Sequence, residues 1–171
     1  DCTKEHVQYL RKIRLFMGEL PVAIEFRHSS WFSETNKENT LLFLTEEKFI
    51  HTIVDQPQTP GNSVPLVTKG THAALTLVRL HGRNYEGWLD ASGPDWRKKR
   101  TLYNYTSDEL DEFAALVRQL EKDSKEVAVI FNNNSGGHAA KNAKQLQKKL
   151  HLTFENLAPQ QTDLDLFGEG F

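Results

Sequence analysis

The sequence predicts an α/β fold built on a parallel sheet, and three observations lead there. Apolar, strand-like runs alternate with segments of helical period along the chain. Those runs are apolar on both faces, as strands are when helices cover a parallel sheet. The unusual polar clusters fall at the C-terminal ends of the runs, where parallel α/β sheets assemble their sites. Four strand–helix units are visible, which suits an open sheet or half of a (β/α)₈ barrel.

The elements follow in order. A helix is expected over about 4–18, where Val7, Leu10, Ile13 and Met17 form a stripe with Leu15 and Phe16 beside it, and Gly18 and Pro21 end it. A strand follows at about 22–27, then a helix at about 36–47 with Asn36 or Asn39 as its cap, then the strand "FIHTIVD" at 49–55. The breaker-rich "QPQTPGNSVP" reads as a loop. The next strand is "ALTLVRL", 74–80, and a long loop runs from 82 to about 105. The helix at about 107–122 opens on a capping box, with Thr106 as N-cap and Glu109 reaching back, and buries Leu110, Phe113, Ala114, Val117 and Leu120. "EVAVIFN" at 126–132 is the last strand, and the last helix, about 139–150, turns Ala139, Ala143, Leu146 and Leu150 inward.

Composition narrows the function classes. The chain has 171 residues, 38% hydrophobic and 26% charged, enough for one domain with a real core. The net charge of −2 gives no global basic field for holding nucleic acid. A single cysteine, Cys2, excludes a disulfide framework and a thiolate zinc site, and fits a reducing, cytoplasmic setting. No apolar run approaches the roughly 20 residues of a membrane span, and the N-terminus lacks a signal pattern. The chain enters at Asp1 directly into a helix with an apolar stripe, which reads as the middle of a domain.

The strand ends carry the chemistry. The first delivers Glu25, Arg27, His28 and Trp31, the second Asp55, the third Arg79, His81 and Arg83, and the fourth Asn132 and Asn133. Alternation puts Glu25 and Arg27 on one face of their strand, and Arg79 and His81 on one face of theirs. An acid paired with guanidinium groups is tolerable at such an end, where water is near. The same pair can equally serve as a plug for a barrel end, and His28 as a satisfied loop histidine. "NNNSGGHAAKNA" places glycines before a helix N-terminus, which suits an anion or carboxylate site, or simply a tight turn. The loop after the third strand holds Tyr85, Trp88, Trp96, Tyr103 and Tyr105 with the basic run Arg97–Arg100. That mixture suits stacking on bases or sugars, or an amphipathic lid on the rim. Glu25, Asp55, His81 and His138 are metal-ligating types, but none has a zinc spacing such as HExxH, so no metal and no particular cofactor is assigned. A nucleophile elbow and GxGxxG are both missing from the sequence.

Five ordered stretches carry a resemblance. "EFRHSSW", a strand ending in Asp55, "VRLHGRN", "YNYTSDEL" and "FNNNSGGHAAKNAKQL" resemble the YecE-like family, also called domain of unknown function 72, over roughly residues 7–157. The resemblance implies a parallel (β/α) barrel of TIM type, of which this chain supplies about the C-terminal four βα units. It implies that Glu25, Arg27, Ser30, Trp31, Asp55, Arg79, His81, Gly82, Arg83, Asn132, Asn133, Ala140 and Asn142 sit at the family's motif positions. It leaves the chemistry undefined. The barrel's N-terminal half would come from elsewhere, as a preceding segment or a second chain.

Residues 1–157 are thus expected as that barrel portion and 158–171 as a tail. In the tail, "QTDLDLF" resembles the linear motif by which bacterial replication and repair proteins enter the DNA sliding clamp, with Gln161, Leu164, Leu166 and Phe167 at the matching positions. Two functions follow. One is an enzyme for a small anionic, sugar-like or nucleic-acid-derived substrate, with Glu25, His81 and Asp55 as catalytic groups. Its binding residues would be Arg27, His28, Trp31, Arg79, Arg83, Asn132 and Asn133. The other is a non-catalytic accessory protein of DNA replication or repair, recruited by the tail.

Overall fold

The computed structural model describes residues 1–154 apart from Asn62 and Ala91. The proposed tail motif therefore lies outside the described residues. The chain runs α1 (Lys4–Met17), β1 (Val22–Ile24), α2 (Lys37–Glu46), β2 (Phe49–Asp55), β3 (Leu75–Leu80), α3 (Tyr85–Leu89), α4 (Trp96–Arg100), α5 (Ser107–Leu120), β4 (Glu126–Phe131) and α6 (His138–Lys149). Single turns of 3₁₀ helix at Ser29–Phe32 and Ser135–Gly137 precede α2 and α6.

The four strands form one parallel sheet in the order β1-β2-β3-β4, so each strand lies beside its neighbour in sequence. Val22 aligns with Phe49, Val54 with Arg79, and Arg79 with Ile130. Among the described residues the sheet stays open, with β1 and β4 as its edges, so these residues do not by themselves close a TIM barrel. One face of the sheet is packed by helices. Ile53, Val78 and Leu80 pack there with Leu110 and Phe113 of α5 and Leu146 of α6. A second cluster joins Leu10 of α1, Leu44 of α2 and Phe49 of β2 with Phe26, Trp31 and Phe32.

Local chemistry explains the boundaries. Thr3 caps α1 by accepting from the His6 N–H at 3.2 Å. Leu10 is buried as its stripe predicts, whereas Leu15 and Phe16, beside the stripe, are exposed. The capping box of α5 forms as expected: Thr106 Oγ1 accepts from the Glu109 N–H at 3.2 Å, and Glu109 Oε2 accepts from the Thr106 N–H at 2.8 Å.

Three expectations need correction. Only three of the four strands are followed by helices, because β2 crosses to β3 through irregular chain. Pro57, Pro60, Gly61, Pro65 and Gly70 forbid a helix there. Val64 and Val67 of that crossover pack against the second cluster, the place a helix would otherwise fill. β1 is also shorter than expected, ending at Ile24. Phe26 turns inward instead and stacks on Trp31, ring centroids 4.1 Å apart. The long loop, finally, contains the two short helices α3 and α4.

Candidate functional site

The sheet face away from the core helices collects the polar groups of the strand ends. Glu25 follows β1, Arg79 lies near the end of β3, His81 follows β3 and Asn132 follows β4. Arg79 donates from one Nη to Glu25 Oε2 and from Nε to Asn132 Oδ1, the latter at 3.0 Å. This one guanidinium therefore links the end of β1 to the end of β4 across the whole sheet. Arg27 Nη1 donates to the other Glu25 oxygen at 2.6 Å. His81 Nε2 lies 3.7 Å from Glu25 Oε1, too far for a hydrogen bond, and is buried without a partner among the described residues. Burial pushes the Glu25 carboxyl up, but the adjacent His81 ring and the Arg27 and Arg79 donors outweigh it and hold its pKa at about 2. This environment favours the ionised form of Glu25 near neutrality, which suits it to holding charge rather than to donating a proton.

The partners of Glu25, rather than Glu25 itself, border a cavity of about 1120 Å³. Arg27, Arg79, His81 and Asn132 supply its floor. Its wall is the segment 96–101, joined by Asn134, Ser135 and Gly136. That wall is a folded piece. Asn84 Oδ1 accepts from the Gly87 N–H at 3.0 Å, and Asn84 Nδ2 donates to the carbonyls of Lys99 and Leu102 at 2.8 and 3.1 Å. Gly87 permits the close approach, since a Cβ there would lie 2.5 Å from the Lys99 carbonyl oxygen. Thr101 Oγ1 meets Ser135 Oγ at 2.7 Å, which ties the wall to the chain after β4. The Arg100 guanidinium stacks on Trp88, 3.7 Å from the ring centroid. Of the wall's cations, Lys98 and Lys99 pair with Asp95 and Asp90.

Asp55 and Arg83 belong to a different network, on the helix side of the sheet. Asp55 is buried, accepts from Arg83 Nε at 3.0 Å, and accepts from the Tyr105 hydroxyl at 2.7 Å. The same hydroxyl accepts from the Gly82 N–H at 2.8 Å. Arg83 Nη1 continues to Glu109 Oε1 at 3.0 Å, which also accepts from the Tyr103 hydroxyl at 2.6 Å. Burial and Glu109 push the Tyr103 hydroxyl up to about 12, and burial with the Asp55 charge pushes Tyr105 up further. Burial favours the neutral form of Arg83, but Asp55 and Glu109 outweigh it and keep the group charged.

Several expected site residues are thus placed elsewhere. Asp55 and Arg83 satisfy each other, so Arg83 is not available to clamp a ligand and Asp55 does not face the cavity. Strand parity alone would keep Arg83 beside Arg79 and His81. Gly82, at φ +89°, breaks the parity and sends Arg83 across. Trp31 is buried in the core against Phe26 and does not line this cavity. His28 Nδ1 accepts from the Ser30 N–H at 3.2 Å and caps the 3₁₀ turn. Asn133 is fully buried, and its amide nitrogen donates to the Tyr103 carbonyl and to Asn142 Oδ1, both at 2.8 Å. It holds α6 against the 103–105 segment, whereas Asn132 orients Arg79. Among the described residues no three His, Cys, Asp or Glu side chains gather as metal ligands. Beyond the site residues expected from the sequence, the cavity takes in two groups, the aromatics Trp88 and Trp96 and the basic run Arg97–Arg100, together with Thr101 and Ser135. The aromatic–basic composition of 85–105 is the signal that pointed toward the first two.

The chain matches the family described as "Protein of unknown function DUF72" over residues 1–164. It is 46% identical over 165 residues to the UPF0759 protein YunF of Bacillus subtilis (strain 168), covering 96% of this chain and 58% of that relative. A solved DUF72 family protein from Enterococcus faecalis V583 is 49% identical with a TM-score of 0.88, covering 95% of this chain and 58% of that one. Another, from Thermotoga maritima MSB8, is 35% identical with a TM-score of 0.77, covering 89% and 54%. The chain therefore spans a little over half the length of these relatives.

The helix-side network predicts a stability effect. Asp55→Asn removes the charge that compensates Arg83 and one acceptor of Tyr105, and is expected to cost about 3 kcal/mol. That corresponds to a fall in Tm of about 9 °C for a domain of this size. Differential scanning calorimetry checks it, and a loss under about 1 kcal/mol would remove the structural role given to Asp55.

Proposed function

The chain belongs to the DUF72 family, and from that premise we propose that it is an enzyme that binds a small phosphorylated or carboxylated, sugar-like molecule at the C-terminal strand ends, with His81 exchanging a proton with it. One observation carries the reading. Arg27, Arg79, Arg97, Lys98, Lys99 and Arg100 line a single cavity. Arg27 and Arg79 share one carboxylate, Glu25, and among the described residues Arg97 and Arg100 have no carboxylate within 4.0 Å. A concave site with unneutralised guanidinium groups is suited to an anion.

Roles follow from the geometry. Arg79, with both ends fixed by Glu25 and Asn132, offers its remaining N–H to the anionic group. Arg27 and the wall cations complete the charge match. Glu25, held ionised 3.7 Å from His81 Nε2, acts on the imidazole through its charge and favours the protonated ring. A carboxylate whose charge stabilises an imidazolium is a recurrent device in proton transfer. The sheet itself is read as the later half of a (β/α) barrel. Its all-parallel, sequential strand order supports this, as does the length of the relatives, whose remaining portion would complete the mouth.

The test is calorimetric titration with inorganic phosphate and ribose 5-phosphate, in two buffers of different ionisation enthalpy. Ribose 5-phosphate is expected to bind, to bind at least tenfold more weakly to Arg79→Ala (about 1.4 kcal/mol), and to show a buffer-dependent enthalpy that His81→Gln abolishes. Absent binding at millimolar concentration, or an unaffected Arg79→Ala, would contradict the assignment.

The tail carries a second reading on its own observation, the match of Gln161, Leu164, Leu166 and Phe167 to a clamp-binding motif. A labelled peptide of residues 158–171 is expected to bind purified sliding clamp, and to lose binding on Leu166→Ala/Phe167→Ala. No binding of the unaltered peptide at high micromolar concentration would sink this reading.

A further inference from the structure

The cationic cavity is not alone. A smaller one of about 350 Å³ lies beside it, and Arg27, Trp88 and Arg100 line both. These three side chains therefore form a junction between two compartments. The large compartment holds Arg79, His81 and Asn132. The small one offers the side chains of Gln56, Thr59 and Ser63. Its size suits a single sugar or base ring.

The junction is arranged for a shared anion. The Arg100 guanidinium lies 3.7 Å from the centroid of Trp88, and every other such cation–ring distance among the described residues is 5.2 Å or more. A guanidinium held this close over an indole is restricted in orientation and keeps N–H groups for a bidentate acceptor. Arg27 stands close enough that burial and its charge together make Arg100 easier to deprotonate than an ordinary arginine. Two cations are held near each other here, and Arg100 has no carboxylate within 4.0 Å among the described residues. An anion between them would relieve the repulsion.

An anion seated at a junction has room for a substituent on each side. A phosphate monoester has one such substituent and fills one compartment. A phosphodiester has two. We propose that Arg27 and Arg100 are a phosphodiester-binding junction, so that the ligand class of this site is a phosphate bridging two sugar- or nucleoside-bearing arms, one in each cavity. This rests on the anion-binding reading above and narrows it. Arg27 is already paired with Glu25, so the single negative charge of a diester matches the one junction cation without a carboxylate partner among the described residues, Arg100, while the Arg79 floor remains for groups on the longer arm.

The experiment titrates the full chain with inorganic phosphate, ribose 5-phosphate, thymidylyl-(3′→5′)-thymidine and a six-residue oligothymidylate. The dinucleotide is expected to bind at least about tenfold more tightly than ribose 5-phosphate. Arg100→Lys keeps the charge but not the stacked fork, and should cut dinucleotide affinity by more than it cuts monoester affinity. Arg27→Gln, at a mostly exposed side chain, is the second variant should the first not fold. Oligothymidylate tighter than the dinucleotide assigns a nucleic-acid strand, and equal affinity assigns a free diester; both support the junction. Ribose 5-phosphate binding as tightly as the dinucleotide, with Arg79 still required, overturns the junction and leaves the anion site standing. No binding by any phosphate compound overturns both.

Discussion

A half-buried carboxylate shared by two guanidinium groups is the constraint on which the site depends. Glu25 sits at the end of an edge strand, and Arg79 reaches it from two strands away while Asn132 takes the other side of the same guanidinium. The ends of β1, β3 and β4 are thereby fixed relative to one another. The arrangement sets the floor of the cavity and decides which groups there are free. Glu25 is committed to its partners, Arg79 is oriented, and His81 is placed beside an anion with its own nitrogen unbonded. A carboxylate in this position does not need to react to matter. Its charge allows two arginines to be crowded into a partly buried mouth that would otherwise repel them.

The second network works from the other side of the sheet. Tyr105 bridges Asp55 and the Gly82 N–H, and so fixes the turn immediately after His81. Arg83 carries this to Glu109, whose other oxygen completes the cap of α5. The imidazole is thus held between an anion on one face of the sheet and a polar latch on the other. Gly82 makes the division achievable. A Cβ there would lie 2.6 Å from the Tyr103 Cβ, and its positive φ is one that side-chain-bearing residues rarely adopt.

Much of this was legible in the sequence, and what was not has physical causes. The parallel α/β class, the capping box and the gathering of Glu25, Arg79, His81 and Asn132 follow from apolar runs, turn chemistry and strand parity. Asp55 shares a face with Ile53, but β2 is buried on both faces, so its sequence does not show which face meets the helices, and Arg83 departs from parity because one glycine resets it. Trp31 follows the first strand's end, where site residues are expected, but its large apolar surface is better buried on Phe26. Asn133 differs from Asn132 by one position, enough to send it into the core. The short helices α3 and α4 have too few residues to show a period. Their joint depends on an Asn84–Lys99 contact that only the folded chain brings together.

The central claim is that Glu25 is a permanently ionised hub, and carbon-13 NMR titration of its side-chain carboxyl tests it most directly. A depressed carboxylate pKa adds stability above the unfolded value, near 4.5, and that stability is lost as pH falls toward the folded value. The account predicts a Glu25 midpoint at about 2, with the resonance flat from neutral pH down through 4.5. In Arg79→Ala the midpoint should move upward. A midpoint at or above 4.5 in the unaltered protein would mean that burial wins over the arginines and His81. Glu25 would then be a proton carrier rather than a fixed anion.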